Sequence, residues 1–117
     1  MSQESHTIFK ELSKVRGIYY KCRRSGPGGI REDVYKSMMA KFKYDYLRKE
    51  LEYKTVCKRN KLQEHIWNTS SKVFLSDEDE FMIEDKLNND TELIQLNRTV
   101  KILKLHLLKK GYNKIHL

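Results

Sequence analysis

Residues 41–87 read KFKYDYLRKELEYKTVCKRNKLQEHIWNTSSKVFLSDEDEFMIEDKL, a long run without glycine or proline that carries an apolar repeat. Counted in sevens from Met39, the residues Met39, Tyr46, Tyr53, Asn60, Trp67, Phe74 and Phe81 share one heptad position, and only Asn60 among them is polar. A helix brings every seventh residue back to nearly the same side after two turns, so these side chains form one stripe along a rod. The matching d positions, Phe42, Lys49, Val56 and Gln63, are uneven, while Leu47, Leu51, Leu62 and Ile66 lie off the strict seam and widen the apolar face. That pattern predicts a helix packed on more than one neighbour, not an isolated two-stranded zipper. Such a rod needs cover from another helix. Protein–protein contact is therefore expected first, with Met39, Phe42, Tyr46, Tyr53, Val56, Asn60, Trp67, Phe74 and Phe81 as the partner-binding residues. Asn60 either fixes register as a buried asparagine or sits at a poorly packed turn.

Two signals inside the stretch oppose each other. Asn68, Thr69, Ser70 and Ser71 compete for backbone hydrogen bonds, and Ser76 followed by Asp77, Glu78 and Asp79 has the form of an N-cap with acids in a first turn. Against a break stands the aromatic stripe, which holds its phase through Phe74 and Phe81. On that ground one helix is expected over residues 30–87, continuous or slightly kinked near 68–76.

Outward from the rod, residues 1–6 carry no periodicity and read as frayed. Ile8, Leu12, Val15 and Tyr19 follow the spacing of an amphipathic helix, which Gly17 should shorten or interrupt. This N-terminal helix and its basic end occupy residues 1–24. Ser25-Gly26-Pro27-Gly28-Gly29 cannot continue a helix and forms the hinge at 25–29. Beyond the turn and cap residues 88–91, Leu93, Leu96, Val100, Leu103 and Leu107 hold a/d spacing. That predicts a third amphipathic helix over 91–111, closed by Gly111 and long enough to fold back on the rod. The tail at 112–117 is uninformative. The fold class is all-α.

Composition agrees with long exposed helices. The chain of 117 residues is 34% charged and 38% hydrophobic, with one proline, which suits a small single domain with little deep core. The net charge of +8 is laid out in blocks: +9 over residues 1–61, −7 over 62–92 and +6 over 93–117. Such a chain can pair with itself or offer opposite faces to different neighbours. No signal peptide opens it and no run of 18 uncharged apolar residues exists, so a soluble, intracellular protein with no membrane contact is expected. Cys22 and Cys57 lack the spacing of a zinc site or a disulfide framework and read as reduced thiols.

No catalytic constellation stands out, and a non-enzymatic role with no cofactor and no metal is expected. His6, His65, His106 and His116 are scattered, SGPGG lacks the spacing of a phosphate-cradling loop, and contiguous acids at 77–80 point around a helix rather than at one ion. The alternative to a scaffold is a small basic nucleic-acid-binding protein of the ribosome-biogenesis or viral kind. For that role Lys21, Arg23, Arg24 and Arg31 around the hinge would contact phosphates, with Tyr19 and Tyr20 placed to stack on bases.

Lys43, Tyr44, Tyr46, Leu47 and Arg48, then Asn60, then Leu75, Glu78, Phe81, Met82, Ile83 and Leu87 resemble a pattern found in certain nuclear coiled-coil proteins. These are the amida-like (TCF-fusion-partner) subunit of the INO-type chromatin remodeller, its fungal counterparts, and the related segment of transforming growth factor beta regulator proteins. The resemblance covers residues 43–87. It departs at Asp79 and Glu80, where the family usually carries a basic residue, and the basic hinge and third helix have no counterpart. It implies a nuclear accessory subunit of a chromatin-remodelling or transcription-regulatory complex, with any ATPase activity in another chain.

Overall fold

The computed structural model describes residues 3–71 and 74–111. The described residues are helical, with no strand, in the order α1 (Gln3–Ser25), α2 (Glu32–Ser70), α3 (Asp77–Asn88) and α4 (Thr91–Lys109). The tail at 112–117, for which no element was expected, lies outside the described residues.

α1 is longer and steadier than its sequence suggests. It runs 23 residues without interruption and begins at Gln3, where frayed chain was expected. Its buried residues Ser5, Ile8 and Leu12 recur at three and four positions, with Val15, Tyr19 and Cys22 half-buried along the same face. Gly17 is exposed, so its cost of about 1 kcal/mol relative to alanine is outweighed by packing on both sides of it. The helix stops where Gly26 takes a left-handed φ of 68° and donates back to the Cys22 carbonyl at 3.2 Å, with Pro27 next. Tyr35 Oη then donates to the same Cys22 carbonyl at 3.2 Å, tying the first turns of α2 to the end of α1.

α2 is the central rod, 39 residues long, about 58 Å at 1.5 Å per residue. Both long sides are used. One side holds the stripe and faces α1, which runs antiparallel to it: Phe9 meets Tyr53, and Tyr19 meets Tyr46. The opposite side holds Ala40, Tyr44, Leu47, Leu51, Leu62 and Ile66 and is covered by α4 and α3. α1 makes no packing contact with α3 or α4 among the described residues. The molecule is thus three layers with one helix in the middle, 60 × 25 × 22 Å. Its radius of gyration of 17.9 Å exceeds the roughly 13 Å of a compact domain of this length.

The rod ends before residue 87. α2 stops at Ser70, Ser71 turns into the left-handed region at φ 51°, and a new helix starts at Asp77. The expectation of one helix over 30–87 is corrected here. The capping signal is what operates: Ser76 Oγ accepts from the Asp79 amide at 3.2 Å, and the Asp79 carboxylate accepts from the Ser76 amide at 3.0 Å. α3 turns back along α2, buries Ile83 and Leu87, and closes a cluster with Ile66 and Leu93. A tight turn at Asn89 and Asp90 then passes the chain into α4, which continues antiparallel along α2 and buries Val100 and Leu107 against Tyr44.

Candidate interaction surfaces

The stripe is largely covered by the chain itself. Tyr46 lies half-buried beneath Tyr19 and Tyr20, with ring centroids at 5.7 and 5.8 Å, while Phe9 sits 5.5 Å from Tyr53. Burial and a hydrogen bond with Tyr20 push the Tyr46 phenol up to about 12. A hydrogen bond with Cys57 raises Tyr53 as well. Lys49 closes the seam on the polar side, pairing with Glu11 across the interface and with Glu52 at 3.2 Å. Its hydrogen bond holds Glu11 below the usual carboxylate range and lifts the ammonium above its own. Met39, Phe42 and Asn60 are half-buried and Val56 is buried, so a partner helix would meet most of these residues only where α1 is displaced.

Three stripe residues stand apart. Trp67 is partly exposed at the end of α2, beside the start of α1. Phe74 and Phe81 do not continue the stripe: they follow the break, 85% and 76% exposed. Their shared heptad phase with Tyr46 and Tyr53 is not a shared face, because phase is meaningful only along one unbroken helix.

The α2–α4 side carries a polar clamp. Lys58 Nζ donates to both oxygens of Asp90 at 2.8 Å, and Asp90 also caps α4 by accepting from the Leu93 amide at 3.0 Å. Lys54 and Lys58 reach Glu92 at 3.2 and 3.5 Å. These cations hold Asp90 and Glu92 below the carboxylate range, and Asp90 in turn raises Lys58. Arg59 pairs with Glu84 on α3 at 2.5 Å. Together these contacts set where α3 ends and α4 begins against the rod.

The outward sides of α3 and α4 are covered by nothing among the described residues and are rich in apolar side chains. On α3, Glu78, Phe81, Met82 and Asp85 follow the i, i+3, i+4, i+7 spacing of one face, and all are exposed. On α4, Ile94, Arg98, Lys101, Leu105 and Leu108 form the face opposite Val100 and Leu107, with Ile102 beside them and exposed by 61%. The a/d reading of α4 identified its inner face and passed over this outer one. The available signal was that Ile, Leu and Val occur all round this helix, which is the mark of a helix with neighbours on more than one side.

The basic residues at the hinge are exposed. Lys21, Arg23 and Arg24 end α1, where the helix dipole favours cations, and none forms an ion pair among the described residues. Arg31 pairs with Asp33 at 3.2 Å. Tyr19 and Tyr20 are engaged on Tyr46. A cleft of about 530 Å³ where α1 begins against α2 is lined by Ser5, Cys57, Asn60, Gln63, Glu64 and Trp67. Among the described residues no cluster of His, Cys, Asp and Glu could hold a metal ion, and no helix is long and apolar enough to cross a membrane. No protein family, curated protein or solved structure matches this chain.

Proposed function

We propose that the chain is a non-catalytic helical adaptor, which keeps a stiff three-layer rod and offers the outer side of α3 and α4 to helices in a larger assembly. The observation that carries this reading is the set of exposed apolar residues on that side: Phe81 and Met82 on α3, then Ile94, Ile102, Leu105 and Leu108 on α4. Large apolar side chains gathered on one exposed side of a small protein mark an interaction site, and each contributes roughly 1.5–3 kcal/mol when fully buried. The stripe residues Tyr46 and Tyr53 serve the fold in this reading, since α1 already occupies them.

The narrower setting, a nuclear chromatin-remodelling or transcription-regulatory complex, rests on the resemblance of residues 43–87. Two of the resembling residues, Tyr44 and Leu47, pack under α4, whereas Phe81 and Met82 remain free for a partner. Affinity purification of the tagged chain from its native cells tests the proposal, with Leu105→Glu and Phe81→Glu compared with wild type. Loss of the same co-purifying subunits in both variants, with nuclear localisation of the wild type, is expected. Unchanged recovery refutes the docking role.

A second reading, contact with nucleic-acid phosphates, is favoured by Lys21, Arg23 and Arg24, which are exposed and form no ion pair among the described residues. It requires binding that weakens steeply with salt, and Arg23→Ala should lower the salt slope by about 1. Salt-independent or absent binding refutes it.

A further inference from the structure

The exposed faces of α3 and α4 have opposite character. α3 presents Phe81 and Met82 between Glu78 and Asp85, and the preceding Ser76–Glu80 run is acidic; α4 presents Ile94, Ile102, Leu105 and Leu108 on either side of Arg98 and Lys101. No acid occurs from Leu93 to Gly111. The two helices follow each other along the same side of α2, since Ile83 lies with Ile66 near its end and Leu107 with Tyr44 near its start. Within one copy the two faces therefore point the same way and cannot meet.

We infer that a second copy of this chain covers them: two protomers associate about a two-fold axis, with the acidic, aromatic face of α3 on the basic, aliphatic face of α4 of the other copy, twice over. A two-fold arrangement makes both contacts at once and closes the assembly. α3 and α4 contribute 12 and 19 residues. End to end that is a strip of about 460 Å², a little over half of the roughly 800 Å² that each partner gives to a standard-size complex, which fits a weak, micromolar dimer. Opposite charges set the register and the apolar residues supply the affinity. This inference rests on reading the α3–α4 side as the docking surface, and it identifies the first occupant.

Charge reversal tests it on the purified full chain by sedimentation equilibrium, with helicity checked by circular dichroism. Wild type should sediment at twice the 14.1 kDa chain mass. Glu78→Lys with Asp85→Lys makes both faces basic, and Arg98→Glu with Lys101→Glu makes both acidic, so each variant alone should be monomeric. Mixed, the two variants regain both opposite-charge contacts and should form a dimer again. A wild type that stays monomeric at about 100 µM, far above a micromolar Kd, overturns the inference. A dimer indifferent to all four reversals, or a mixture that fails to restore it, does the same. So does a monomer that binds phosphatidylserine vesicles through Arg98 and Lys101, which would make the face lipid-facing. If the chain is monomeric yet the Arg98→Glu, Lys101→Glu variant loses its co-purifying subunits, only the identity of the occupant fails. If dimers form as expected while co-purification is untouched, the adaptor reading fails instead.

Discussion

Leu105 and Leu107 are two residues apart on α4 and should respond to truncation in opposite ways. Leu107 is fully buried against Tyr44 and Val100, whereas Leu105 is 60% exposed on the far side of the same helix. Leu107→Ala removes three carbons from a packed site between α4 and α2, which costs about 3 kcal/mol and at most about 5. A domain of this size loses roughly 4 °C per kcal/mol, so the melting temperature should fall by about 12 °C. Leu105→Ala leaves no cavity in the protomer and should stay within about 0.5 kcal/mol. Circular dichroism melts separate the two, provided the protein is dilute enough that the midpoint no longer depends on concentration. A silent Leu107→Ala beside a damaging Leu105→Ala would mean that α4 shows its other face to α2, and the packing described here would be wrong.

Further outcomes follow from the same structure. Ser76→Ala should cost about 1 kcal/mol and reduce protection of α3 amides in hydrogen exchange before those of α4, because Ser76 caps α3 alone; equal loss in both helices would contradict this. Gly26→Ala forces a side chain into a φ of 68°, at about 1–2 kcal/mol, and urea unfolding should register it, whereas the exposed Gly17→Ala should stabilise by up to about 1 kcal/mol. Stability should fall at both ends of the pH range. Glu11, Asp90 and Glu92 are depressed below 4.5, 3.8 and 4.5, so their contribution is present above those values and lost as pH falls through the folded ones. Lys49 and Lys58 are raised above 10.5 and Tyr46 from 10.0 to about 12; their contribution is complete below the unfolded values and lost as pH rises beyond them. Urea midpoints that stay flat on both sides would refute these pairings.

The inner faces were legible in the sequence. Ile8, Leu12, Val15 and Tyr19 on α1, and Leu93, Leu96, Val100, Leu103 and Leu107 on α4, carry their spacing openly and point to α2. The off-seam residues Leu47, Leu51, Leu62 and Ile66 also announced that α2 has neighbours on more than one side. Two physical facts were hidden. Heptad phase continued past Ser71 by coincidence, and the local chemistry of Ser76 and Asp79, which acts on backbone amides directly, decided where the helix broke. Which helix covers the stripe depends on the hinge directing α1 back along α2, through Gly26 and the Tyr35 bond to Cys22, and no periodicity encodes that. For the same reason Phe74 and Phe81 were assigned to a face they do not share.

With α1 lying over Tyr46 and Tyr53, the chain covers its own aromatic stripe and leaves the α3–α4 side for others. Hydrogen exchange of the isolated chain measures this most directly. Amides of residues 8–20 should be protected to a degree comparable with the middle of α2. Exchange of those amides at the unprotected rate, while α2 and α4 stay protected, would contradict it.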